Sequence, residues 1–284
     1  MLVALCQLPV SSKPQLNLDR VRAAVTEAAT HNAKLAVFPE GTQARFAADL
    51  RSLAEPLDGT FCTGLAEIAR SARVAIVAGV FEPAPDGRVF NTTVGYDTSG
   101  RRAAVYRKIH LFDALGHRES DDVAPGSDLV IAELAGLRVG FLTCYDVRFP
   151  ELARSLAAGG AQVLVIPAAW AAGLFKEEHW VTLVRARAIE NTIWVAAAGQ
   201  VPDPSEPPTR APTGVGRSML VDPMGVVRLD LGPAATVAVG DVDPQYTDTV
   251  RAVLPCLANR RDELFQLATP TASSGALSEA VRPG

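Results

Sequence analysis

The sequence has no excess of positive charge, few histidines and no long apolar run. Its 27 lysine and arginine residues are outnumbered by 31 aspartate and glutamate residues, and the formal net charge is −4. This balance gives no support for a nucleic-acid partner. No apolar stretch approaches the roughly 20 residues of a membrane-spanning helix, so we expect no membrane association. The 4 histidines are not spaced as zinc ligands, and we expect no metal site.

Cysteine is also scarce. The 4 cysteines among 284 residues lack the spacing of a disulfide framework, which predicts free thiols and a cytoplasmic protein. The apolar N-terminal run has no basic lead-in or small-residue cleavage site, so we interpret it as a first strand rather than a signal peptide. Because no Gly/Ser-rich linker divides the chain, we expect one domain over residues 1–267. Residues 268–284 are predicted to form a disordered tail.

Apolar runs of strand length alternate with amphipathic helical patterns, which indicates an α/β protein. The predicted strands cover residues 2–7, 35–38, 74–80, 89–96, 103–106, 128–134, 137–142, 162–166 and 193–198, followed by an antiparallel meander of residues 216–221, 226–229 and 235–242. The predicted helices cover residues 17–30, 43–53, 60–72, 175–191 and 246–254 and the segment after Pro150. The order strand, helix, strand occurs in both halves, which predicts two related layers. The proline-rich residues 201–212 are interpreted as a surface excursion.

Cys144 stands where a predicted strand turns into a helical segment. The apolar run 139–142 ends just before it, and Pro150 opens a helical pattern. Helix N-termini present free N–H groups and partial positive charge, which favour a thiolate and a nearby oxyanion. The competing interpretation is a buried structural cysteine, which is common. Cys6, Cys62 and Cys256 lack comparable surroundings and are expected to be inert.

Glu40 and Lys108 also follow predicted strands. Taken alone, each position favours an ordinary solvated side chain. Open α/β sheets place ligands at the carboxyl ends of their strands, and if these strand ends converge, the two residues and Cys144 can act together. Amide hydrolysis needs a nucleophile, a group that transfers its proton, and a stabiliser of the oxyanion. Cys144, Glu40 and Lys108 supply these three functions.

Three motifs carry a resemblance to the nitrilase, or carbon–nitrogen hydrolase, superfamily. They are Phe-Pro-Glu at 38–40, Tyr-Arg-Lys-Ile-His-Leu-Phe at 106–112, and Cys-Tyr-Asp-Val-Arg-Phe-Pro-Glu at 144–151. The resemblance implies an α/β fold of the nitrilase type, an α-β-β-α sandwich of four layers. It also implies a catalytic triad of Glu40, Lys108 and Cys144, with Glu119 orienting the lysine and the substrate amide. No metal or organic cofactor is implied.

The third motif is similar to the amidase branch that contains omega-amidase and deaminated glutathione amidase, whereas true nitrilases usually carry Cys-Trp-Glu. The expected reaction is cleavage of a small linear carboxamide to carboxylate and ammonia through a cysteine thioester. An omega-amide and deaminated glutathione are the substrates considered. Hydrolysis of nitriles or N-carbamoyl compounds on the same triad is the alternative. Members of the family commonly form dimers, so we expect a homodimer.

Several further residues are expected to contact the substrate. The backbone N–H of Tyr145 is expected to share the oxyanion with Lys108. Trp170, Phe112 and His179 are expected to line the pocket. Arg45 is placed to bind a carboxylate on a linear acyl chain, although it is equally consistent with a helix-surface residue.

Two other functions stay open at this point. One is a Cys-His enzyme in which His110 or His179 activates Cys144 and Asp146 orients the ring. The other is a binding protein that keeps the fold without catalysis. The joint presence of Glu40, Lys108, Glu119 and Cys144 favours the enzyme.

Overall fold

The computed structural model describes residues 1–264, and the predicted tail, residues 268–284, lies outside this range, as does the end of the predicted domain. Within the described residues no helix is both long and apolar enough to span a membrane. The α-helices are α1 (Pro14–Thr30), α2 (Leu50–Leu53), α3 (Thr60–Ala72), α4 (Pro150–Ala158), α5 (Lys176–Asn191) and α6 (Pro244–Val253). Short 3-10 helices cover Glu119–Asp121, Cys144–Arg148 and Asp262–Leu264.

The strands form two large sheets and one small ribbon. The first sheet contains β1 (Leu2–Gln7), β2 (Leu35–Val37), β3 (Ala75–Pro83), β4 (Val89–Tyr96), β5 (Arg102–Arg107), β8 (Val123–Ala124) and β15 (Thr236–Asp241). The second contains β9 (Ile131–Leu134), β10 (Leu137–Phe141), β11 (Val163–Ala168), β12 (Trp194–Gly199), β13 (Met219–Val221) and β14 (Val227–Asp230). The ribbon pairs β6 (Asp113–Ala114) with β7 (His117–Arg118).

Alternating side chains of each strand build the layers. In β1, Val3 and Leu5 belong to the core between the two sheets, whereas Ala4 and Cys6 pack in the cluster that contains α1 and α3. This alternation is what a strand covered on both faces requires. On the far side, α4 and α5 cover the second sheet, with Trp180 fully buried. The result is the predicted α-β-β-α sandwich, and the predicted fold class is confirmed.

Most predicted elements are confirmed, but the meander is wrong in its third strand. β13 and β14 pair antiparallel as predicted, whereas β15 crosses to the first sheet and pairs antiparallel with β1. In that place it covers the edge of β1 that would otherwise be unpaired.

The helix predicted for residues 43–53 is also wrong over most of its length, since only α2 forms. The backbone N–H of Gln43 donates to Gly79 and that of Arg45 donates to Ser11. The N–H groups of Ala44 and Ala48 donate to the carbonyls of Gly41 and Arg45, three residues back, so the chain makes turns there and the bonds of an α-helix begin only with Leu53 N–H to Asp49. The turns instead bring the segment after Glu40 against β3.

Candidate active site

Glu40 lies in the loop that follows β2, at the carboxyl end of that parallel strand, and it is 1% exposed. The loop lies directly against β3: a Cβ on Gly79 would be 2.3 Å from the backbone nitrogen of Gly41. Glycine at position 79 is therefore what lets the chain of Glu40 approach the sheet. Gln200, which follows β12 of the second sheet, donates from Nε2 to the Glu40 carbonyl at 2.5 Å.

The Glu40 carboxylate accepts three hydrogen bonds in the buried site. Oε1 accepts from Lys108 Nζ at 2.9 Å and from Asn91 Nδ2 at 2.8 Å. Oε2 accepts from the backbone N–H of Ala169 at 2.8 Å, just beyond the end of β11. Both sheets therefore orient one carboxylate.

Lys108 follows β5 and is paired with two carboxylates. Its Nζ lies 2.9 Å from Glu40 Oε1 and 2.7 Å from Glu119 Oε2, and all three side chains are buried. Burial by itself lowers the pKa of Lys108, but the charges of Glu119 and Glu40 outweigh it and raise that pKa well above its ordinary range. Lys108 is thus held as a fixed ammonium. Glu119 stands beside Lys108, where the resemblance places it.

Asn91, which lies in β4, also belongs to the site and was not predicted from the sequence. Its Nδ2 bridges Glu40 Oε1 and Glu119 Oε1, at 2.8 and 3.0 Å. A neutral donor between two carboxylates stabilises both without adding a proton to the site. The only sign of its role in the sequence is a polar side chain within a predicted strand. An asparagine with a purely structural role would give the same pattern.

Cys144 follows β10 and begins the 3-10 helix 144–148. Its φ is +47°, in the left-handed region that a residue with a Cβ seldom adopts. Buried Asp146 holds the turn, since it accepts from Thr143 N–H at 2.9 Å, from Tyr106 Oη–H at 2.6 Å and from His110 N–H at 2.9 Å. A sharp turn of this kind is maintained only where the surroundings fix it, and such strain concentrates at functional sites.

The surroundings of the Cys144 thiol favour its protonated form. Burial raises the pKa of Cys144 well above its ordinary value, and the neighbouring Glu40 carboxylate raises it further by its charge and by hydrogen bonding to the thiol. The Lys108 ammonium and the Ala169 N–H lower it, but less. The expected preference for a thiolate at the helix start is therefore overridden by burial. The proton must leave during attack, and Glu40 is the base beside it.

Cys144, Glu40, Lys108 and Glu119 line one cavity, whose unfilled space including its open mouth is about 360 Å³. The cavity is small, which suits a small substrate. The remaining lining residues are Phe46, Phe112, His117, Tyr145, Ala169, Trp170, Ala171, Lys176 and Pro212. The wall is largely aromatic opposite the charged cluster.

Three of the five residues predicted to contact substrate, Phe112, Tyr145 and Trp170, lie in this lining. His179 does not: its side chain is exposed on α5, and Nδ1 is 3.3 Å from an Arg148 nitrogen. The helical register explains the difference, because His179 neighbours buried Trp180 in sequence but points away from the core.

Arg45 is also outside the cavity lining. It is buried, and its guanidinium lies 3.1 Å from the Glu206 carboxylate and donates to the Pro207 carbonyl at 3.1 Å. A partner within the chain therefore occupies the cation that was expected to bind a substrate carboxylate. The predicted contact of Arg45 with an acyl chain is wrong for this arrangement. Arg45 instead holds the proline-rich insert 201–212, whose end at Pro212 reaches the cavity.

Glu206 anchors that insert and should make stability depend on pH. Hydrogen bonds from Ser11 Oγ and from Ser12 N–H lower the pKa of Glu206 from 4.5 to about 2. Its folded-state pKa is below the unfolded value, so its stabilisation is present above about 4.5 and is lost as the pH falls toward 2. We expect Glu206→Gln to have a lower free energy of unfolding than wild type at pH 6. Between pH 6 and pH 3, the free energy of unfolding of the variant should fall by less than that of wild type. Urea denaturation at both pH values measures this.

The control for this variant is Glu67→Gln, which removes an exposed carboxylate of α3. It should follow the wild-type pH profile. If Glu206→Gln loses as much stability on acidification as wild type does, Glu206 does not anchor the insert through its charge.

The structure contains one of the two contacts that the alternative Cys-His arrangement requires. Asp146 Oδ1 lies 2.7 Å from His110 Nδ1, as that arrangement required, and the ring stacks on Phe149 with centroids 3.7 Å apart. However, His110 is not among the described residues that line the cavity with Cys144. The charged groups that act on the thiol are Glu40 and Lys108.

Comparison with known proteins gives consistent matches over nearly the whole chain. Residues 2–252 match the family model described as carbon–nitrogen hydrolase. The chain is 42% identical to "Hydrolase Rv0480c" of Mycobacterium tuberculosis over 92% of its own length and 96% of that protein. It is 36% identical to the deaminated glutathione amidase of Escherichia coli O157:H7, covering 92% of this chain and 97% of that one. It is 32% identical to omega-amidase NIT2 of Danio rerio, with 93% and 96% covered.

Two solved structures share the fold. The C. elegans NitFhit protein superposes with a TM-score of 0.84 at 30% identity, where the match covers 93% of this chain and 66% of that longer chain. An amidase from Nesterenkonia sp. AN1, solved as a glutamate-to-glutamine mutant with the acetamide moiety of fluoroacetamide on its active-site cysteine, has a TM-score of 0.78 at 28% identity. That match covers 93% of this chain and 95% of the amidase.

Proposed function

The chain belongs to the carbon–nitrogen hydrolase family, and from this membership and the geometry around Cys144 we propose that it is an amidase in which Cys144, Glu40 and Lys108 cleave a small linear carboxamide. The observation that carries the proposal is the convergence of a thiol, a carboxylate and an ammonium in one buried cavity. They come from distant parts of the chain and from both sheets.

In the first half-reaction, the Cys144 sulfur attacks the carboxamide carbon while Glu40 takes the thiol proton. The raised pKa of Cys144 means that attack and proton transfer must be coupled, and Glu40 is the neighbouring acceptor. Lys108 and the backbone N–H of Tyr145 stabilise the oxyanion. Glu40 then returns the proton to the amine, so ammonia leaves and a thioester forms.

In the second half-reaction, Glu40 removes a proton from water, which attacks the thioester carbon. Collapse of the intermediate releases the carboxylic acid and regenerates the thiol when the proton returns to sulfur. Glu119 keeps Lys108 in place throughout by accepting a hydrogen bond from its Nζ, and Asn91 keeps Glu40 in place by donating to its Oε1. Each group is neutral or charged at the end as it was at the start. The cycle uses the residues of this chain and water.

Substrate choice is tested with a panel of omega-amides, deaminated glutathione, N-carbamoyl compounds and nitriles, in which release of ammonia is measured, or of the amine in the case of deaminated glutathione, whose amides are secondary. The small cavity favours an omega-amide, and the names of relatives support an omega-amide or deaminated glutathione. We expect the highest kcat/KM for such an amide. Turnover of nitriles or N-carbamoyl compounds alone would replace the amidase assignment by the alternative reaction on the same triad. No release from any compound would favour a binding protein.

The Cys-His alternative is separated by a labelling experiment. We expect the double variant His110→Ala, His179→Ala to keep alkylation of Cys144 by iodoacetamide at neutral pH, because Glu40 and Lys108 are the charged groups acting on the thiol. Peptide mass spectrometry after timed alkylation identifies Cys144 separately from the other thiols. Loss of Cys144 labelling in the double variant would revive the Cys-His enzyme.

We also propose that the protein acts in the cytoplasm as a homodimer. The free thiol that the reaction needs is supported by a reducing compartment, and all four cysteines are unpaired. A contact through α4 and the C-terminal segment would cover Val253 and Leu254, which leave apolar surface exposed at the end of α6. Sedimentation equilibrium of wild type and of Val253→Glu tests the dimer.

A further inference from the structure

Lys176 is a cation in the cavity wall that the mechanism above does not use. It is 4% exposed, and its Nζ lies 4.4 Å from the ring centre of Trp170 and 4.8 Å from that of Phe112. No carboxylate of the described residues pairs with it. A buried ammonium without an anionic partner is uncommon, and cation–π contacts offset only part of its lost hydration.

Its position in the helix adds a second unfavourable feature. Lys176 is the first residue of α5, where the helix dipole disfavours positive charge. Burial lowers the pKa of Lys176, negative charge at the Cys144 sulfur raises it, and the positive charge of Arg148 lowers it. A buried cation that no carboxylate of the described residues pairs with is typical of a functional position.

The backbone around Lys176 is fixed, so the ammonium has a defined place. Trp170 Nε1 donates to the Lys176 carbonyl at 2.7 Å, which ties the start of α5 to the cavity wall. Trp170 in turn contacts buried Trp180, with ring centres 5.2 Å apart. The cation therefore stands on a rigid aromatic support in the cavity that contains Cys144.

We propose that Lys176 binds an anionic group, a carboxylate, at the end of the substrate opposite to the carboxamide. This specificity role rests on the proposed amidase function. The pairing supplies the anion that the buried ammonium lacks, while Cys144 meets the amide carbon. Half-amides of short linear dicarboxylic acids, which are the omega-amides proposed above, carry both groups.

The test compares two amides of similar shape in wild type and Lys176→Met. Succinamate carries the carboxylate, and levulinamide replaces its charged oxygen with a methyl group. Wild type should prefer succinamate, and the ratio of the two kcat/KM values should fall about 10- to 100-fold in Lys176→Met, the range for a charge-assisted hydrogen bond. Lys176→Arg, which keeps the charge, should retain most of the preference. Lys34→Met, an exposed lysine at the amino end of β2, should leave both rates unchanged.

An unchanged ratio in Lys176→Met overturns the inference, even if both amides remain substrates and the amidase function stands. So does a loss in Lys176→Arg equal to that in Lys176→Met. Binding of succinate, measured by calorimetry, tests the anchor independently of turnover: wild type should bind at least about 10-fold more tightly than Lys176→Met. Equal affinities count against Lys176. Succinate discrimination without ammonia release from any amide would keep the anion site and remove the amidase.

Discussion

Cys144→Ala is expected to lose at least about 10⁴-fold in kcat for every amide that the wild type hydrolyses, as removal of a catalytic nucleophile does. The variant has no sulfur to form the thioester, and no other cysteine lines the cavity among the described residues. The fold should survive, because alanine keeps the Cβ at the strained turn and Asp146 still holds its neighbours. Ammonia release and thermal unfolding measured on the same preparation check both statements.

Cys62→Ala is the matched control. Cys62 is a buried thiol of α3, outside the cavity, and burial raises its pKa as it does for Cys144. This variant should retain turnover within a few-fold. Residual activity of Cys144→Ala near the wild-type rate would remove the covalent mechanism. Loss of the folded state in Cys144→Ala, by contrast, would show a structural need for the thiol.

Much of the fold was predictable because its strands are buried on both faces. Runs such as those in β1 and β11 contain apolar residues at nearly every position, so their existence and bounds stand out from the loops. The place of Glu40, Lys108 and Cys144 at strand ends followed from the same pattern. Their approach to one another did not, because it depends on how the two sheets pack. Only the resemblance of the three motifs to a known family indicated that the three residues share one cavity.

The errors arose where long-range contacts override a local pattern. The sequence around Arg45 indicates no partner within the chain. In the fold, however, its guanidinium pairs with the carboxylate of Glu206, which is 161 positions away. Residues 43–49 have a helical pattern, yet the Gln43 N–H bonds to β3 and the Arg45 N–H bonds to the N-terminal segment. Neither of these partners can be identified from the spacing of residues in the sequence. The crossing of β15 is similar, since a hairpin with β14 satisfies the same alternation locally.

Asn91 and Lys176 were missed for a different reason. Each is a polar residue in an element whose pattern is normal without it, and polar residues at strand interiors and helix starts are common. What sets them apart is their contacts: two carboxylates for Asn91, and two aromatic rings without an anion for Lys176. Such information exists only once the chain is folded. A catalytic residue at the end of a predicted strand, such as Cys144, is easier to recognise from the sequence than Asn91 or Lys176.

The charges of the cluster also explain why one glutamate is suited to move protons. Lys108 is shared by Glu40 and Glu119, so one positive charge faces two negative ones. Glu119 accepts, in addition, a hydrogen bond from the Phe112 N–H at 2.6 Å. Glu40 is the carboxylate that acts on Cys144. The cluster thus has one carboxylate that fixes the lysine and one that faces the nucleophile.

Glu40→Gln should therefore separate proton transfer from nucleophilicity. We expect kcat to fall by about 10³-fold or more, within the range for loss of a general acid–base residue, because neither the amine nor the hydrolytic water can exchange a proton with an amide. The Glu40 charge raises the pKa of Cys144, so its removal lowers that pKa and increases the thiolate fraction at a given pH. Alkylation of Cys144 by iodoacetamide at neutral pH should accordingly be at least as fast as in wild type.

Glu82→Gln supplies the comparison, since Glu82 is another buried carboxylate of the same sheet, paired with Arg107 at 2.7 Å and outside the cavity lining. It should change neither turnover nor alkylation by more than a few-fold. A wild-type kcat in Glu40→Gln would exclude Glu40 as the base. Parallel loss of turnover and alkylation would mean that the thiol needs Glu40 in order to react at all, either to take its proton or to shape the site. Fast alkylation combined with slow hydrolysis would place the role of Glu40 in proton transfer to the amine and from water.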